Sequence, residues 1–299
     1  MKQAALMFVM LAFTGLMVAQ QQPAPTPATQ PSAAPNAQSG SPQQTAPPTK
    51  RPPQAKTQAE FDAYQAAMKN AGDPAAMEKS ADDFAAKFPT SELRDILYRV
   101  AMRGYQNADS GDKMSACAQK LLKIDPDDPE ALVDEAEVSV EHTRDTDLDK
   151  DQRLDEAAKQ AQHALQTVDT DIPAGVQPQQ VELFKNMIRS TAYSILGGIS
   201  DRHEKYADSE NYYRQAIASD PAHPDPVLLL RLTLALDKQG KYPDALKEAN
   251  RAVEITQENT VPGKLARQER DRLVQLTGGA TPAPASKPAA GGAQNPPSQ

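Results

Sequence analysis

The stretch Tyr193–Pro221 reads YSILGGISDRHEKYADSENYYRQAIASDP, and its alternation of large and small residues decides the fold. Tyr193, Leu196 and Ser200 recur at helical spacing, and so do Ser209, Tyr213 and Ala216. Gly197 and Ala216 are small where two helices must cross closely; Tyr193, Leu196 and Tyr213 are bulky where the gap between them must be filled. Tyr206 stands in the turn. Asp220-Pro221 stops the second helix, because the residue before a proline is pushed out of helical geometry. The stretch therefore predicts two antiparallel helices. One such pair cannot bury its apolar face alone, so it requires neighbours of the same kind.

Tyr193-x2-Leu196-Gly197, Tyr206, Ser209, Tyr213, Ala216 and Pro221 fall without a gap on a known template. The stretch resembles a tetratricopeptide repeat, a helix pair about 34 residues long. It departs at Ser200, where Tyr is usual, and at Ser209, where Ala is usual. A following pair repeats the pattern with Leu229, Leu232 and Leu236, a turn at Gly240 and Tyr242, and the small seam Ala245, Ala249 and Ala252. Three looser pairs precede it. Phe61, Tyr64 and Met68 face Ala81, Phe84 and Phe88 in the first; Tyr98, Ala101 and Tyr105 precede Ala118 and Leu121 in the second. The third runs from about Pro129 to His142 and then through Leu154, Ala157, Ala161 and Leu165, with an insertion at 143–151. A long helix from about Pro178 to Arg202 leads into the reference pair. A polar helix from about Pro262 to Leu276 is expected to cap the open end. The fold class implied is all-α, a right-handed α-solenoid of about five tetratricopeptide-like pairs plus a C-terminal capping helix. In layout the chain is also similar to exported tetratricopeptide proteins of acidobacteria, a likeness of pattern that adds no function.

The repeats occupy residues 57–277. Residues 20–56 and 278–299 hold 15 of the 26 prolines and no acidic residue. Such composition cannot bury enough apolar surface to offset ordering, so both are expected to be disordered, the first as an extended spacer. Arg51-Pro52-Pro53 has the form of a ligand for an aromatic groove, but reads first as plain linker. Residues 1–19 combine Lys2 with an apolar run from Ala4 to Ala19, the pattern of a secretory signal with cleavage near Ala19. The alternative is an uncleaved amino-terminal anchor. Either way the expected location is outside the cytoplasm, in the periplasm or cell envelope.

All 40 acidic residues lie in the middle segment against 27 basic ones, a net charge of −13. An acidic body without Trp argues against nucleic-acid binding, which needs a basic face and stacking aromatics. The single cysteine, Cys117, excludes an internal disulfide and reads as a small buried hydrophobe. No phosphate loop, nucleophile elbow or paired zinc histidines occur, so no catalytic residue, cofactor or small-molecule substrate is expected. The one metal-like pattern is Asp145, Asp147, Asp149, Asp151 and Glu156, at positions 1, 3, 5, 7 and 12 of a calcium loop. Lys150 stands where that loop needs glycine, so the segment reads first as a solvated acidic loop and calcium is the weaker candidate.

The resemblance implies a non-enzymatic interaction scaffold whose first helices line a groove for a peptide or partner protein. Mapped onto this chain, the groove takes in Arg99, Arg103, Gln106 and Asn107, then Ser194, Asp201 and Arg202, with Asp62, Lys69 and Asn70 in the first pair. Arg99 and Arg103 are four apart and share one helical face. Their competing use is an internal ion pair with Glu137 or Glu141 of the next repeat. The runner-up function is a calcium- or envelope-polymer-binding structural protein built on the acidic loop.

Overall fold

The structure is a computed structural model, and it describes residues 50–174 and 176–278. The signal and most of the two proline-rich flanks lie outside these residues. Within them the chain forms eleven α-helices and no strand. They are α1 (Gln58–Met68), α2 (Pro74–Lys87), α3 (Leu93–Asn107), α4 (Gly111–Leu122), α5 (Pro129–His142) and α6 (Lys150–Thr167). After a short 3₁₀ turn at Pro178–Gln180 come α7 (Val181–Arg202), α8 (Tyr206–Ser219), α9 (Pro226–Lys238), α10 (Tyr242–Ile255) and α11 (Val261–Leu276). The helices form two compact units, and the boundary, after Ile188, falls inside α7.

Helix starts follow from local chemistry. Asp73, Asp128 and Asp225 each precede a proline at the first helical position and accept a hydrogen bond from a backbone N–H of the first turn. The turns inside three pairs share one geometry. The N–H groups of Ser110, Lys205 and Lys241 reach back to the carbonyls of Tyr105, Ser200 and Leu236. The residue before each donor has positive φ: Asp109 at 53°, Glu204 at 57° and Gly240 at 72°. This is the closing turn that satisfies the last helical carbonyls, and only in the third case does glycine occupy it.

In the first unit each helix from α1 to α6 packs on the next, and α1 also reaches α3. Met77, Ala81, Leu97, Ala101, Met102, Cys117, Ala118 and Leu121 form a water-free core. In the second unit α8, α9, α10 and α11 pack in succession, and α9 also meets α11. Leu229, Leu232 and Leu236 face the fully buried Ala245, Ala249 and Ala252. The small seam lets α9 and α10 approach closely while leucines fill the space. The capping helix buries Ala266 and Leu273, while Leu265 and Leu276 are about half exposed, at 50% and 51%.

The structured chain begins before position 57. Residues 50–56 run in extended form against the first unit, and Ala55 packs on its core. Lys50, Arg51 and Lys56, which composition places in the linker, all find acceptors on the repeats.

Candidate functional site

The reference pair is assembled as its residues require. Gly197 lies under the ring of Tyr213, so close that a Cβ there would stand 2.5 Å from Cε1 and 2.7 Å from Cδ1. Tyr213 is 1% exposed and its hydroxyl donates to Asp201 at 2.7 Å. Ser209, fully buried where Ala is usual, donates to the other Asp201 oxygen, so its departure from the template is matched by an acceptor. Leu196 and Ala216 are buried, and Tyr193 stacks on Tyr212. Tyr206 holds its turn through its carbonyl, which accepts from Gln239.

The groove residues of the first unit meet a different fate. Asp128 caps α5 through one carboxylate oxygen, 2.9 Å from the Ala131 N–H, and takes Arg99 with the other. Arg99 also donates to Glu130 at 2.9 Å. Arg103 grips the same carboxylate with two donors, at 2.6 and 2.7 Å. Arg99, Asp128 and Glu130 are buried. Burial alone would raise the Glu130 carboxyl; the Arg103 and Arg99 guanidiniums outweigh it and hold it at about 2. Burial would lower Arg99, but Asp128 and Glu130 more than compensate and raise it.

Arg99 and Arg103 are therefore engaged by acids of the chain itself. The internal ion pair forms with Asp128 and Glu130, acids at the start of α5. The reason is geometric: the first turn of α5 brings Asp128 and Glu130 level with the middle of α3. Beyond the pair, Gln106 Oε1 and Asp134 Oδ2 are buried without a hydrogen-bond partner. Burial, then Glu130 and Glu137, push the Asp134 carboxyl well above its usual range.

The other mapped positions are mostly engaged as well. Asp201 is spent on Ser209 and Tyr213, Ser194 accepts from Arg231 at 2.9 Å, and Asn70 donates to Ser80 at 2.8 Å. Asn107 is exposed and Arg202 half-buried. The first-helix face of α9 is largely open, and on α1 the mapped Asp62 and Lys69 are exposed. On α9, Arg231, Leu234 and Lys238 are exposed at positions that share one side of the helix, with Val227 half-buried a turn earlier. Leu234 is 48% exposed. Periodicity marked Leu229, Leu232 and Leu236 as the buried stripe, and Leu234 was legible only as the leucine off that stripe.

The acidic insertion runs into a helix. Helix α6 starts at Lys150, so Asp151 and Glu156 sit on a helix rather than around an ion. Asp147 accepts from the Arg144 N–H at 2.8 Å, and Glu156 accepts from Gln152 at 2.9 Å. Among the described residues no group of three or more His, Cys, Asp or Glu is placed to hold a metal ion. Nor is any described helix long and apolar enough to cross a membrane.

No protein-family model matches the chain, and no curated protein matches it. Solved structures do. One is a thermophilic tetratricopeptide protein, TTC0263, from Thermus thermophilus, at 14% identity and TM-score 0.41, covering 73% of this chain and 98% of that one. Another is PilW, a type IV pilus biogenesis factor, at 18% identity and TM-score 0.43, covering 75% and 88%. A third is Acl4, an assembly chaperone of RpL4, at 12% identity and TM-score 0.39, covering 73% and 96%. At these values each is a likeness in outline only.

Proposed function

We propose that this chain, a protein of tetratricopeptide-like helix pairs, is a non-enzymatic interaction scaffold exported to the cell envelope, where it holds a peptide or partner protein. The observation that carries the reading is the contrast between its first-helix faces. Those on α3 and α5 are engaged in the chain's own ion pairs, whereas α9 presents Leu234 and Lys238 to solvent, beside Arg231, which donates to Ser194. An apolar residue flanked by cations suits an amphipathic segment carrying carboxylates, and arginine's planar fork matches a carboxylate. Export is supported by the charged start and apolar run of residues 1–19.

Crosslinking pull-down from the envelope fraction tests the scaffold reading, with the parent compared to Leu234→Asp/Lys238→Glu. A partner recovered with the parent and lost with the variant supports it; equal recovery places binding elsewhere. Amino-terminal sequencing of the mature protein tests export, and a soluble species starting at Met1 refutes it.

A further inference from the structure

Residues 50–56 belong to no helix, yet they make a run of directed contacts along one edge of the first unit. The Lys50 ammonium lies between Asp125 and Asp171, 2.6 Å from the latter. Arg51 donates to both oxygens of Glu92, at 2.7 and 2.8 Å, and the Gln54 N–H reaches the same carboxylate at 3.3 Å. Lys56 donates through its side chain to the Thr90 carbonyl at 2.8 Å and through its N–H to Glu60 at 2.7 Å. The acceptors fall at successive junctions between helix pairs. Thr90 and Glu92 lie between α2 and α3, Asp125 between α4 and α5, and Asp171 after α6.

Such an edge attracts one kind of chain. Each junction ends a helix whose last carbonyls lack amide partners, and carboxylates cluster where the next helix begins. The edge is therefore rich in acceptors and negative charge. A segment with cationic side chains satisfies it, and Pro52-Pro53 hold that segment extended. Lys50 alone bridges the two later junctions at Asp125 and Asp171, and Arg51, Gln54 and Lys56 run along the first, at Glu92 and Thr90. Lys50 is also needed locally, since Asp171 is nearly buried and shares this cation with Asp125.

We propose that the junction edge of the first unit is a binding rail for an extended basic, proline-containing segment, and that residues 50–56 occupy it as a strap that closes it to outside segments of the same chemistry. This stands apart from the α9 face and does not depend on it.

Two measurements on the full-length protein test it. In the first, native trypsin digestion is followed at Lys50–Arg51 and Lys56–Thr57; trypsin does not cut before proline, so Arg51–Pro52 is silent. A free peptide of residues 48–58 gives the unprotected rate. Both bonds should be cut at least roughly tenfold more slowly in the protein, the factor that about 1.4 kcal/mol of docking confers. Glu92→Gln should restore much of the peptide rate. Peptide-like cleavage in the parent overturns the strap. In the second, the same peptide, labelled with fluorescein, is titrated into the parent and into Lys50→Ala/Arg51→Ala. Tighter binding to the variant by roughly tenfold or more, weakened by salt, supports the rail. Equal binding, or none to the variant, overturns it. If the double variant does not fold, the digestion of the parent and Glu92→Gln still decides the strap.

Discussion

Gly197→Ala adds one carbon where the structure leaves no room for it. The new Cβ would stand 2.5, 2.7 and 3.0 Å from Cε1, Cδ1 and Cζ of Tyr213. The ring cannot step aside cheaply, because it is 1% exposed and its hydroxyl is tied to Asp201 at 2.7 Å. Overpacking of this kind costs about 1–3 kcal/mol. Alanine recovers up to about 1 kcal/mol through its better helix propensity. The net expectation is a loss of about 1–2 kcal/mol, and Gly197→Leu should lose more. For a folded part of this size, 1 kcal/mol moves the melting midpoint by roughly 2–4 °C. Urea denaturation followed by circular dichroism measures the loss, and the cycle with Tyr213→Leu locates it. Removing the ring should make Gly197→Ala neutral or favourable, a coupling of about 1 kcal/mol or more between residues in contact. A parent-like midpoint for Gly197→Ala, or strict additivity with Tyr213→Leu, would refute the close crossing.

Glu130→Ala leaves Arg99 and Arg103 without their shared carboxylate and should destabilise the first unit by roughly 3–5 kcal/mol; a shift under 1 kcal/mol in urea denaturation contradicts the buried network. For Asp134 the folded-state value is raised by burial, Glu130 and Glu137, with Arg103 opposing. Between its unfolded value near 3.9 and that raised value, the native state keeps a proton the unfolded chain has lost, so its contribution to stability declines as pH rises. Asp134→Asn should therefore raise the melting midpoint at pH 8 more than at pH 4, and an equal change at both pH values counts against it. Glu130 has the opposite sign: held at about 2 against an ordinary 4.5, it contributes fully above 4.5 and the contribution is lost as pH falls toward 2. Burial, then Glu78, push the Cys117 thiol up to about 12, so thiol labelling should follow unfolding of the first unit, and rapid modification of the native protein would be inconsistent with its burial. Glu204→Gly relieves a left-handed residue that glycine adopts freely and should stabilise by about 1 kcal/mol, read as a raised melting midpoint.

The helix pairs were legible in the sequence because their determinants are local. A proline after an aspartate starts α2, α5 and α9, and small residues at Gly197, Ala216, Ala245, Ala249 and Ala252 mark where helices cross. The spacing of Leu229, Leu232 and Leu236 could bury only one face of one helix. The turn residues Asp109 and Glu204 were not legible, since their left-handed backbone is imposed by the closing of the helix end rather than by the side chain. Sequence spacing alone could not say that a helix begins at Lys150, within the acidic pattern.

What the sequence determined by itself is the face on which each residue sits, since helical period follows from backbone geometry alone. What only the tertiary structure decided is which groups meet across faces. Arg99 and Arg103 were placed on one side of α3, and the height at which α5 begins made Asp128 and Glu130 their partners. Lys50 and Arg51 belong by composition to a linker that buries too little to order itself. They are held because folding gathers Glu92, Asp125 and Asp171, distant in sequence, onto one edge.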